Sequence, residues 1–162
     1  MTHTVEKIGG SSMSNYAAVR DNIILRPGNR YNRIFVVSAY SGITNLLLEH
    51  KKTAQPGVFG SFANARDEAA WRGELAKVRK QLLEINHALF TAAMDRAAAK
   101  SFIEERLTAA ENCLSDLDRL CRHGHFQLDS HLATVREMLA SLGEAHSAWN
   151  LSRLLANEGV RT

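Results

Sequence analysis

Two apolar runs near the start of the chain each end in small and hydroxyl residues and lead into a helical pattern, and this repeated unit restricts the fold more than any other feature. The first run, Thr4-Val5-Glu6-Lys7-Ile8, enters Gly9-Gly10-Ser11-Ser12. A helical pattern begins near Ser14, with Ser14 or Asn15 as its cap and Ala17, Val19, Ile23 and Ile24 as its apolar face. Arg26-Pro27-Gly28-Asn29 stops it. The second run, Arg33-Ile34-Phe35-Val36-Val37-Ser38-Ala39, is rich in β-branched residues and predicts a buried parallel strand. It ends at Tyr40-Ser41-Gly42, before Ile43-Thr44-Asn45 and a helix from Leu46-Leu47-Leu48-Glu49. In open α/β sheets ligands bind beyond the carboxyl ends of the strands. Two such loops on neighbouring strands therefore face one crevice.

The first loop has the chemistry of a phosphate cradle. Adjacent glycines let the backbone come close to a ligand. Amides at a helix start favour an anion. Lys7 adds a full positive charge, and Ser11 and Ser12 add hydroxyls. The spacing is neither the P-loop nor G-x-G-x-x-G. The competing reading is a plain glycine turn with a solvated lysine.

The 162 residues suit one domain with a sizeable core. An apolar fraction of 45%, with 23% charged residues and only 2 prolines, excludes a disordered chain. The net charge of +3 is scattered, which argues against a nucleic-acid partner. Cys113 and Cys121 stand two helical turns apart, about 12 Å along the axis, too far for an intrahelical disulfide. Reduced thiols, with no signal peptide and no membrane-length apolar run, predict a cytoplasmic protein away from membranes.

Residues 53–62, with Pro56-Gly57 and Gly60, read as a linker anchored by Phe59 and Phe62. Residues 64–122 read as an alanine-rich helical excursion of two or three packed helices. Its stripes are Leu75, Val78, Leu82, Leu83 and Ile85, then Phe102, Leu107, Leu114, Leu117 and Leu120. Arg122-His123-Gly124-His125 reads as a loop. Cys121, His123 and His125 fit no common zinc spacing, so no metal site is assigned. A last helix, 129–157, starts from an Asp129 or Ser130 cap and carries Gly143-Glu144. That glycine permits close approach of a backbone or ligand. Glu144 is either an anion that reads an ammonium group or a solvated helical glutamate. Glu158-Gly159 signals the helix end. Two parallel strands make a poor sheet, so the chain reads as the front part of a larger α/β protein.

Three motifs in this order resemble the N-terminal part of aspartate kinases, within the amino acid kinase family. Those proteins open with Lys-Phe-Gly-Gly-Thr-Ser, here Lys7 to Ser12. Their second strand runs Val-Val-Ser-Ala into Ser-Gly-Val-Thr-Asn-Leu-Leu, here Val36 to Ala39 and Ser41 to Leu47. A later helix bears Ser-x-Gly-Glu, here Ser141-Leu142-Gly143-Glu144. The segment around Pro56-Gly57-Val58-Phe59 and Phe62-Ala63-Asn64-Ala65 resembles the form associated with ectoine synthesis.

The resemblance implies an α/β fold: the N-terminal portion of an amino acid kinase fold over residues 1–162, with strand–loop–helix units at 3–52. It implies ATP-dependent phosphorylation of the β-carboxylate of L-aspartate to 4-phospho-L-aspartate, with Mg2+. By position, Lys7 is the catalytic cation and contacts ATP phosphates with Gly9, Gly10 and Ser11. Ser41, Thr44, Asn45 and Glu144 bind aspartate, Glu144 through its amino group. Phosphoryl transfer rests on positioning and charge stabilisation, so no nucleophilic triad is expected. Ser11 in place of Thr and Ile8 in place of Phe are mild departures. The family's later Arg-Gly-Gly-Ser-Asp segment and most of its ATP pocket are missing, which predicts little kinase activity from this segment alone. The alternative is a non-catalytic binding or oligomerisation module derived from the kinase domain, self-associating through apolar surface.

Overall fold

The computed structural model describes residues 3–26, 31–65, 67–123 and 126–162. Strands β1 (Thr4–Ile8) and β2 (Arg33–Val37) pair in parallel, with Lys7 opposite Val36 and Ile8 opposite Val37. The two predicted strand–loop–helix units are thus present side by side. The turn predicted at 27–29 lies outside the described residues.

The first unit continues through α1 (Gly10–Met13) and α2 (Tyr16–Val19) into a π-helical turn, Arg20–Ile24. Asn15 caps α2, its side-chain oxygen accepting from the Ala18 amide at 3.2 Å. Val19 and Ile24 are buried, whereas Ala17 is exposed. Arg33 then ties the π turn to the sheet. Its guanidinium forks onto Glu6 at 2.6 and 2.7 Å and donates to the carbonyls of Ile24 and Ile23 at 2.9 and 2.7 Å. The paired guanidinium holds the Glu6 carboxyl below its ordinary range.

Strand β2 is not buried on both faces, as its apolar run predicts. Phe35 and Val37 turn inward, but Ile34 and Val36 are each 51% exposed, beside Val5 at 68%. Among the described residues nothing covers that face.

The second unit also differs in detail. Helix α3 (Ile43–Leu47) begins directly after Gly42, which is left-handed at φ +85°, so Leu46 lies within the helix rather than at its start. The segment 53–62 is only partly a linker, because α4 (Val58–Ala65) occupies its second half. Its apolar residues give the reason: Val58 and Phe62 are buried in the core, with Phe62 edge-on to Trp71 at 6.2 Å.

The predicted helical stretch forms two long antiparallel helices, α5 (Glu68–Leu89) and α6 (Ala93–His123). Trp71, Leu75, Val78 and Leu82 of α5 face Ile103, Leu107 and Leu114 of α6. Arg79 spans the rim, reaching Glu104 at 3.0 Å and Glu111 at 3.2 Å. Leu120, predicted as part of the stripe, is 46% exposed.

After a 3-10 turn, Leu128–Ser130, helix α7 (Leu132–Asn157) runs back to the sheet. Asp129 and Ser130 sit in that turn and do not cap α7; His131 occupies the cap position without a side-chain bond. The far end closes as the Glu-Gly pair predicts, with the amides of Val160 and Gly159 bonding the carbonyls of Leu155 and Ala156. Glu158 there accepts from the Tyr16 hydroxyl at 2.9 Å, which fastens α7 to α2.

Candidate functional site

The three predicted motifs meet at one residue, Ala39, which is buried just past β2. Gly10 opens α1 against the backbone of the second loop. A Cβ there would lie 2.5 Å from the Ala39 carbonyl oxygen, so only glycine lets the loops approach this closely. Gly143, in the middle of α7, meets Ala39 from the other side. A Cβ there would lie 2.6 Å from the Ala39 Cβ and 3.2 Å from Ile43 Cγ2. The requirement at both glycines is close packing of chain on chain.

Hydrogen bonds hold the same junction. The Ser41 amide donates to Ser14 Oγ at 3.1 Å, and Ser14 Oγ donates to the Gly10 carbonyl at 3.1 Å. Ser147 Oγ donates to the Ser38 carbonyl at 2.8 Å. The Ser38 amide extends the ladder to the Ile8 carbonyl at 3.0 Å. Ser14, read from sequence as a cap, is therefore a clasp between the two loops.

Lys7 is exposed on the open face of the sheet, next to Val5 and Val36. Gly9 is extended and has open space where a Cβ would point. Ser11 is exposed in the first turn of α1, where amides have no acceptor within the helix. Ser41 is exposed, and Thr44 is half-buried in α3. Asn45 borders a shallow hollow of about 200 Å³ shared with Pro56, Glu74 and Lys77 of the α5 side. Glu144 is exposed beside Gly143. Among the described residues neither the Lys7 ammonium nor the Glu144 carboxylate forms an ion pair. The backbones of the three motifs are brought together, then, while the charged side chains stand free in solvent. A separate hollow of about 370 Å³ lies between the inward face of β2 and the last turns of α7, and no predicted site residue lines it.

Beneath the junction lies a polar cluster that the sequence reading passed over. Asn86, His146 and Asn150 are each no more than 2% exposed. His146 Nε2 stands 2.6 Å from Asn86 Oδ1, and Asn150 Nδ2 donates to the same oxygen at 2.9 Å. With Asn86 Oδ1 as the acceptor at this shorter contact, Nε2 carries the imidazole proton, and the Asn150 amide nitrogen, 3.2 Å from Nε2, donates to Asn86 instead. Burial lowers the His146 pKa to about 4, keeping the ring neutral. Tyr40 meets the imidazole edge-on at 5.6 Å, and burial pushes its phenol up to about 12. A signal was present: Leu139, Leu142, His146 and Asn150 continue one helical stripe, as do Leu75, Val78, Leu82 and Asn86. Polar residues on an apolar stripe point inward.

As for metals, the described residues bring no three His, Cys, Asp or Glu side chains together. Cys121 is half-buried and lines a small hollow with Phe62 and Trp71, His123 is exposed, and His125 lies outside the described residues. No helix among the described residues is long and apolar enough to cross a membrane.

No protein-family model matches the chain. It is similar to aspartate kinase Ask_Ect of Stutzerimonas stutzeri (strain A1501), with 56% identity over 161 residues. The match takes in 98% of this chain and 34% of the relative, so the chain spans about a third of that protein's length.

Proposed function

We propose that this chain, kin to an aspartate kinase along nearly its whole length, carries that enzyme's acceptor-binding half-site and its first phosphate loop. The observation that supports the reading is the meeting of the Gly-Gly loop, the Ser41 loop and the Gly-Glu helix at Ala39. In the reaction, a β-carboxylate oxygen of L-aspartate attacks the γ-phosphorus of ATP, the bond to the β,γ-bridging oxygen breaks, and ADP leaves. No proton need move. Lys7 offsets charge on the transferring phosphoryl group. Gly9, Gly10 and Ser11 contact phosphate oxygens through amides and a hydroxyl. Ser41, Thr44 and Asn45 line the aspartate end, and Glu144 receives the amino group. The pathway served is ectoine synthesis, on the resemblance of the 56–65 segment.

Calorimetric titration of the chain with L-aspartate, then with Mg-ATP, tests this. Aspartate binding that is lost in Glu144→Gln supports the half-site. Absence of aspartate binding by the folded chain overturns it. In an enzyme carrying this segment within a full-length kinase, Lys7→Ala is expected to lower kcat by about a hundredfold or more with the fold retained.

One observation favours a second reading, a self-associating module: the open sheet face of Val5, Ile34 and Val36. A strictly monomeric chain in sedimentation at high concentration excludes it.

A further inference from the structure

The Asn86–His146–Asn150 cluster takes no part in the contacts assigned above, yet it sits directly under the loop that carries Ser41. Helix α7 touches that loop at three successive places: Gly143 against Ala39, the His146 ring against Tyr40, and Ser147 on the Ser38 carbonyl. The middle contact is also tied to α5, through Asn86, and so is Asn150, which hydrogen-bonds the Tyr40 side chain one turn further on.

We propose that His146, oriented by Asn86 and Asn150, is a positioning residue that fixes Tyr40 and thereby the Ser41-Gly42 end of the acceptor loop. For its link to aspartate, the proposal rests on the kinase reading above.

The physical case is one of direction. A leucine at 146 would fill the space but tolerate rotation of α7 against α5. An Nε2–H bond to Asn86 Oδ1 does not, because the hydrogen bond weakens steeply off-axis. Asn86 Oδ1 accepts twice, which sets both residues of α7 on one point of α5. The imidazole plane is then held at 68° to the Tyr40 ring. Asn86 Nδ2, His146 Nδ1 and Asn150 Oδ1 find no protein partner within this packing. Buried polar atoms left so are costly.

The test uses the 162-residue chain and needs no substrate for its first arm. Nitrogen NMR of the wild type is expected to show His146 as the Nε2–H tautomer. In His146→Leu, the amides of Ser41 and Ile43, which bond Ser14 Oγ and the Tyr40 carbonyl, are expected to exchange with solvent on the order of tenfold faster, with helical content unchanged. His146→Gln, which can again donate to Asn86, is expected to restore slow exchange. If His146→Leu does not fold, Asn86→Leu carries the same measurement, since it removes the acceptor and leaves the ring. Unchanged exchange in the folded variant overturns the proposal, as does equal loss in His146→Gln. In the second arm, His146→Leu is expected to weaken L-aspartate binding on the order of ten- to hundredfold, again restored by Gln. If the wild type binds no aspartate while the exchange responds as stated, the kinase reading fails and the positioning role stands.

Discussion

Ala39 is pressed from two sides by positions that lack a side chain, and this makes Gly143 a sharp probe. Alanine there would gain about 1 kcal/mol of helix propensity. Its Cβ, however, would meet Ala39 Cβ at 2.6 Å within a packed core. Overpacking of this kind costs about 1–3 kcal/mol, so Gly143→Ala is expected to lower the urea midpoint despite the better helix former. His146 supplies the second prediction at this scale. Its ordinary pKa of 6.5 falls to about 4 in the fold. Below pH 6.5 the unfolded chain takes up a proton that the folded chain refuses. Stability contributed by the neutral ring is complete above that pH and is lost as pH drops toward about 4, a span on the order of 3 kcal/mol. Between these limits the unfolding free energy, measured by denaturant titration at each pH, is expected to fall more steeply with decreasing pH in the wild type than in His146→Gln. Carboxylates such as Glu6 and Asp95, whose pKa values are lowered by arginine partners, add their own losses only at lower pH.

Among the elements, the α5–α6 hairpin carries much of the apolar core, and Leu107 at its centre is fully buried. Leu107→Ala is expected to cost about 2–5 kcal/mol, measured by denaturant unfolding. This level was also where the sequence was most readable. Both strands announced themselves by β-branched runs, and the stripes of α5 and α6 by their spacing. The rule that ligands gather at strand carboxyl ends anticipated the neighbouring loops. Helix α4 was hidden because Pro56-Gly57 and Gly60 speak against a helix, while burial of Val58 and Phe62 overrides that local preference. The Ser14 clasp and the His146–Asn86 bond were illegible for another reason. Their partners stand 27 and 60 residues apart, and only the packing of elements decides who meets whom.

For the molecule as a whole, the open face of the sheet is the feature with physical consequences. Parallel strands are ordinarily covered on both faces, and here Val5, Ile34 and Val36 are not. Lys7, the one charge assigned to phosphate, stands among them. Concentration-dependent sedimentation is expected for the wild type, and Ile34→Lys is expected to reduce it without changing the helical signal, since that side chain already faces water. Unaltered association in this variant would move the contact elsewhere.

The meeting at Ala39 also has an order in time. The ribosome releases Gly10 and Ala39 early, and both loops can pair while the rest is still being made. Gly143 emerges about a hundred residues later, after the whole α5–α6 hairpin. Until then Ala39 has Gly10 on one side only and Tyr40 lacks the His146 ring, and the nascent chain holds a half-built junction that α7 closes.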